Sequence, residues 1–255
     1  MYKEVASLLP GMSGWRVAMV LTVLVTVVSL GCGGGTKQDP VLEQEKIMVD
    51  EGVMILREGT SVQRDSVIRT FNNLSHSELL HPYLAETDIS VRIGIVSALG
   101  NLKDLGSVGQ LNSMLLESDD YLLRETVIWA LGELNDTSSV QVMIGIMQDT
   151  TDNLDMRLGL PITLAAFINT SYAGKIEQAF VEVLQNMGND LELCSYVAVG
   201  ILEVLEPGNY ELFNSQLPLL RKMAQRRLTQ SGEDGIYTNF QLTIEELENY
   251  KPSQV

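Results

Sequence analysis

Chemistry in a protein needs nucleophiles, proton carriers or metal ligands held at fixed spacing, and this sequence offers few of them. Its two histidines, His76 and His81, stand five residues apart. A helix brings residues three or four apart onto one face, so the pair lacks the spacing of a helical metal site. Three carboxylates crowd one short segment, Asp149, Asp152 and Asp155. They lack the alternating ligands, central glycine and terminal glutamate of a calcium loop, so the segment reads as a solvated loop that caps a helix. Cys194 sits in the apolar run Leu193–Val199, with no Lys, Arg or His within fifteen residues. A thiol in such a setting is a small buried hydrophobe, because nothing nearby favours its thiolate. Arg221, Lys222, Arg226 and Arg227 form one basic cluster and suit the C-terminal end of a helix expected over 210–228. No nucleophile elbow, zinc-protease, phosphate-loop or dinucleotide spacing occurs. The residues therefore point to no catalysis, no metal and no cofactor.

Cys32 has a different setting. No charged residue lies between Arg16 and Cys32, and Val17–Leu30 is almost continuously apolar. Such a stretch is short for a helix crossing a hydrocarbon core of ~30 Å and right for the core of a signal peptide. It ends in Val28-Ser29-Leu30-Gly31-Cys32, followed by Gly33-Gly34-Gly35. This resembles the lipobox of bacterial lipoproteins, although Ser29 stands where leucine is commonest. The resemblance implies that residues 1–31 are a signal peptide cut before Cys32, and that the Cys32 thiol carries the lipid. Residues 32–40 then form a flexible tether. Gly33, rather than aspartate, follows Cys32. By the same resemblance that favours the outer membrane, facing the periplasm.

The remaining sequence must supply the elements. Hydrophobic residues make up 45% of the chain, enough for a sizeable core, but aromatics only 6%. Sheets lean on aromatic and β-branched residues, so this balance favours stacked helices. The formal net charge is −16. A surface that acidic repels phosphate backbones and anionic headgroups, which excludes nucleic acid as partner and leaves membrane contact to a covalent lipid.

Two segments align without gaps at a spacing of 32 residues, Asp88–Leu102 over Asp120–Leu134. Identities fall at Asp88/Asp120, Arg92/Arg124, Ala98/Ala130, Leu99/Leu131, Gly100/Gly132 and Leu102/Leu134. Weaker copies run from Arg64 and from Met156-Arg157, and Leu193–Leu205 keeps the apolar rhythm without the arginine. Amphipathic segments precede these helices at 76–85, 107–117, 138–148 and 173–187. The unit is helix, tight turn, helix, repeating every roughly 30–40 residues. Asp88 and Asp120 suit helix starts. Gly100 and Gly132 fall near helix ends, where a left-handed residue is cheapest. Arg92 and Arg124 are placed to bridge to acidic caps of neighbouring units. Pro161 interrupts the helix expected over 154–169, which must kink or begin late.

The D-x-x-V-R…A-L-G-x-L pattern resembles HEAT-like repeats of the short, PBS-lyase type. The resemblance implies an all-α solenoid of about five helix-turn-helix units, here over 41–228, with a polar, acidic tail at 229–255 that is disordered or a short amphipathic helix. It also implies protein binding as the usual role. On the second helices, Trp129 (equivalent to Ser97 in the preceding unit) falls on the outward side with Glu125 and Glu133 near it, a candidate partner-binding set. The expectation is a membrane-anchored scaffold or assembly factor binding other proteins of the cell envelope. The alternative is an envelope lipoprotein that binds a small molecule or metal without catalysis.

Overall fold

The computed structural model describes residues 39–251, and every regular element among them is helical. The signal peptide, Cys32 and most of the tether lie outside the described residues. Twelve α-helices follow one another: α1 (Pro40–Glu58), α2 (Ser61–Phe71), α3 (Ile89–Asn101), α4 (Val108–Glu117), α5 (Tyr121–Leu134) and α6 (Val140–Gln148). Then come α7 (Leu154–Ala165), α8 (Ala173–Asn186), α9 (Leu191–Val204), α10 (Tyr210–Asn214), α11 (Leu217–Ser231) and α12 (Gly235–Asn249). The chain divides into units 1–48 and 49–255. The described part of the first begins α1, where Asp39 Oδ1 accepts the Val41 amide and Lys46 pairs with Glu43.

In the second unit the long second helices form a ladder, each packed on the next: α2 on α3, α3 on α5, α5 on α7, α7 on α9 and α9 on α12. The first helices α4, α6, α8 and α11 lie beside them, and the buried Leu, Val and Ile of both rows form one core. All five phenylalanines of the chain, Phe71, Phe167, Phe180, Phe213 and Phe240, are fully buried. Each second helix starts on a side-chain cap. Asp88 accepts the Ser90 and Val91 amides, Asp120 and Asp190 accept those of Leu123 and Leu193, and Asn153 that of Asp155. Thr60 and Gln63 make a reciprocal capping box on α2.

Four expectations are corrected. The segment before α3 is a 3₁₀ helix, Ser77–Ala85, because Pro82 inside it removes a backbone donor. Gly100 and Gly132 are not the left-handed residues; Lys103 (φ 57°) and Asn135 (φ 50°) are. Lys103 closes α3 in a Schellman turn, its amide donating to Gly100 O and that of Asp104 to Leu99 O. The glycines instead allow close helix approach. A Cβ on Gly100 would stand 3.0 Å from Ala130 Cα, and one on Gly132 would stand 3.0 Å from Thr163 Cγ2.

Pro161 does not delay α7, which runs from Leu154 through the proline to Ala165. Its ring is buried against α9, where a Cβ on Gly200 would stand 3.2 Å from Pro161 Cβ. The helix stops short of residue 169, and turns lead from Ala166 to Tyr172. Finally, the expected solenoid end at 228 is too early. Residues 235–249 form α12, which buries Phe240, Thr243, Ile244 and Leu247 against α9 and α11. Its apolar residues recur at helical spacing among the acids, and Asp234 caps it by accepting the Tyr237 amide.

Candidate protein-interaction face

The fourth residue after each cap is an arginine in α2, α3, α5 and α7, and these side chains reach across the stack. Arg124 donates from Nε to Leu115 O near the end of α4 (3.0 Å). It also clamps Asp152 with both Nη atoms at 2.7 and 2.5 Å. Arg157, 4% exposed, repeats the arrangement with Met147 O at 3.0 Å and Asp190 Oδ2 at 3.3 Å. One guanidinium thus caps the carbonyls of the preceding helix and ties them to the start of the next second helix. The bridge expected at Arg124 reaches Asp152, the residue before the cap Asn153, and the one expected at Arg92 fails, its buried Nε having no acceptor; Arg157 reaches a true acidic cap, Asp190.

In α9 this position is Cys194, whose thiol donates to Met187 O, the same kind of carbonyl, at 3.4 Å. Arg157 does approach it in space, but burial and then Asp190 outweigh that charge and push the thiol up to about 12. It carries no thiolate at neutral pH.

The remaining chemistry-bearing side chains are engaged elsewhere. His81 Nε2 lies 2.7 Å from Asp104 Oδ2, and Ser77 Oγ donates to the other carboxylate oxygen at 2.6 Å. Both thus bind one aspartate rather than forming a serine–histidine–aspartate relay. Of the three loop carboxylates, Asp152 is held by Arg124 and Asp149 accepts from the Thr151 amide and hydroxyl. Arg221 pairs with Glu248, Arg227 with Asp234, and Arg226 donates to Gly188 O and Asn189 Oδ1. Arg226 and Lys222 edge a half-open cavity of about 260 Å³ between α11 and the end of α8.

At 100° per residue, positions 2, 5, 6, 9 and 13 after each cap fall on one side of a second helix. In α5 these are Leu122, Glu125, Thr126, Trp129 and Glu133. Leu122 is 58% exposed, Trp129 41%, and Ile162, at position 9 of α7, 48%. A Cβ on Gly100 would stand 3.0 Å from Trp129 Cζ3, so the indole leans on α3 while keeping an open face. Glu125 is exposed as expected. Glu133 is not free, because Lys103 donates to its carbonyl at 2.6 Å and its carboxylate at 2.7 Å. Ser97 is half-buried and its hydroxyl donates to Ile93 O within its own helix. Of the four expected contact residues, Trp129 and Glu125 are therefore presented outward. Leu122 and Ile162 were missed; starting the α7 count at Asn153 would have found Ile162.

A family model for HEAT repeats matches residues 77–157. The match covers the 3₁₀ helix through the first turn of α7, and with it the Asp–Arg–Gly pattern and Trp129. No curated protein matches the chain. The matched stretch is similar to HEAT repeats, and repeats of this kind suggest a protein-interaction scaffold in general.

Proposed function

We propose that this chain is a membrane-anchored protein-binding scaffold or assembly factor of the bacterial cell envelope. On this reading Cys32 carries the lipid, residues 33–38 tether the helical stack, and the second helices present the contact surface without catalysing a reaction. The observation that carries the binding role is Trp129, held half open on α5, with Leu122 of the same helix and Ile162 of α7 also exposed. Aromatic anchors beside aliphatic neighbours are the usual energetic centre of protein interfaces. The anchor reading rests on the lipobox-like residues 28–32. No helix among the described residues is long and apolar enough to cross a membrane.

The test is affinity purification of the full chain from detergent-solubilised membranes, in wild-type and Trp129→Ala forms. The expected result is a defined protein recovered with the wild type and lost with the variant. A recovery unchanged by Trp129→Ala would remove this face from the proposal. Incorporation of labelled palmitate, abolished by Cys32→Ser, tests the anchor separately.

A further inference from the structure

We infer that the partner of this face is a basic amphipathic segment, with apolar side chains along one side and Lys or Arg beside them. This deepens the proposed binding role and rests on it. The outward positions of α3, α5, α7 and α9 together hold Ile93, Leu122, Trp129, Ile162, Tyr196 and Val199, all at least partly exposed. Of these Leu122, Trp129 and Ile162 are exposed and give a partner apolar surface on which to desolvate. The same positions hold Glu125, Glu133, Asp155, Glu192 and Glu203 and no Lys or Arg. The arginines of these helices are turned into the stack, as at Arg124 and Arg157.

Lys103 compensates Glu133 from the neighbouring unit, and Glu192 lies near enough to Arg227 to act on it. Glu125, Asp155 and Glu203 stand without an ion pair. Two of them converge: after burial, the charges of Glu125 and Asp155 are what raise the Tyr121 phenol above its ordinary value. Tyr121 is itself exposed, at the start of α5. An acidic or purely apolar segment docking here would bury carboxylates without a counter-charge, whereas a basic one would pair them as it covers Trp129.

The test uses two synthetic peptides with identical leucine spacing, one carrying lysine and one glutamate at the remaining positions. The chain holds two tryptophans, and Trp15 lies in the segment expected to be cut before Cys32; Trp15→Phe leaves Trp129 the sole indole reporter in any unprocessed chain as well. With the full chain in detergent, the leucine–lysine peptide should shift Trp129 emission to the blue, and the leucine–glutamate peptide should not. The double variant Glu125→Lys/Asp155→Lys should weaken lysine-peptide binding at least tenfold. The control Glu245→Lys/Glu246→Lys, of equal charge change on α12, should alter it less than twofold. An equal loss in both double variants would show only attraction to net charge and overturn the inference. Equal binding of both peptides, abolished by Trp129→Ala, would overturn the charge selection while leaving the binding face standing. Binding of neither peptide would overturn the inference, and purification of a partner through Trp129 would then show that the face itself survives.

Discussion

The two halves of the arginine ladder differ, although the sequence writes them alike. In the stretch from α4 to α9, Arg124 and Arg157 each cap a carbonyl of the preceding α-helix and reach a carboxylate of the next pair. In the stretch from α2 to α3, the Nε atoms of Arg64 and Arg92 are buried without an acceptor. Arg64 keeps one long bond to Arg57 O at 3.3 Å. For Arg92 the difference lies in what precedes α3, whereas Arg64 follows the α-helix α1. A 3₁₀ helix advances about 2.0 Å per residue and closes i to i+3, so its last carbonyls do not stand where an α-helix leaves them. The same residue at the same repeat position is a staple at Arg124 and Arg157, keeps one carbonyl at Arg64, and leaves a buried Nε without an acceptor at Arg92.

That contrast can be broken by substitution. Arg157→Ala is expected to lower unfolding free energy by about 3 kcal/mol in urea titration, because it strips a buried guanidinium from Asp190 and Met147 O. Arg92→Met should change it by less than about 0.5 kcal/mol, the range of a site with no partner to lose. Comparable losses at the two sites would erase the distinction.

The joint between the regions is Gly100, packed on the Ala130 backbone. Gly100→Val is expected to cost about 2 kcal/mol by overpacking. Gly109→Ala, in open space on α4, should be neutral or stabilising by up to about 1 kcal/mol, again read from urea midpoints.

Arg124→Met is expected to cost about 1 kcal/mol, less than Arg157→Ala because the Arg124 side chain is more exposed than that of Arg157 and water can replace the pair. The smallest effect is one of pH. The Arg124 hydrogen bonds hold the Asp152 carboxyl below its ordinary value. Its contribution is then present above the unfolded-state value of about 4 and is lost as pH falls through the lower native value. Asp152→Asn should flatten that acid limb in pH-dependent melting. Arg92→Met should leave it unchanged.

What the sequence disclosed follows from which interactions are local. Caps are local, and Asp88, Asp120 and the position of Arg124 could be assigned by counting. The role of Gly100 was misread, because a glycine near a helix end looks the same whether it turns the chain or admits a neighbouring backbone. Only the position of Ala130 separates the two. The start of α7 was misread for the same reason: the cost of Pro161 is written in its own helix, and the ring packs against α9 beside Gly200. For 229–255 an amphipathic helix was one of two alternatives, and its docking was hidden because charge density is conspicuous and four buried residues at helical spacing are not. At the interaction face, Trp129 was legible from the repeat, while Glu133 was claimed by Lys103 through a contact spanning thirty residues.

The docked α12 has a consequence for assembly. A stack of repeats is in principle open at both ends, and an end that matches the next copy's beginning propagates a filament. Here the last helix turns Phe240, Ile244 and Leu247 inward and leaves Glu245, Glu246 and Glu248 exposed. Thr243, fully buried, donates to Ala198 O from forty-five residues away and pins the closure. A second chain approaching α12 would meet Glu245, Glu246 and Glu248 beside the exposed Leu242, rather than the buried Phe240, Ile244 and Leu247.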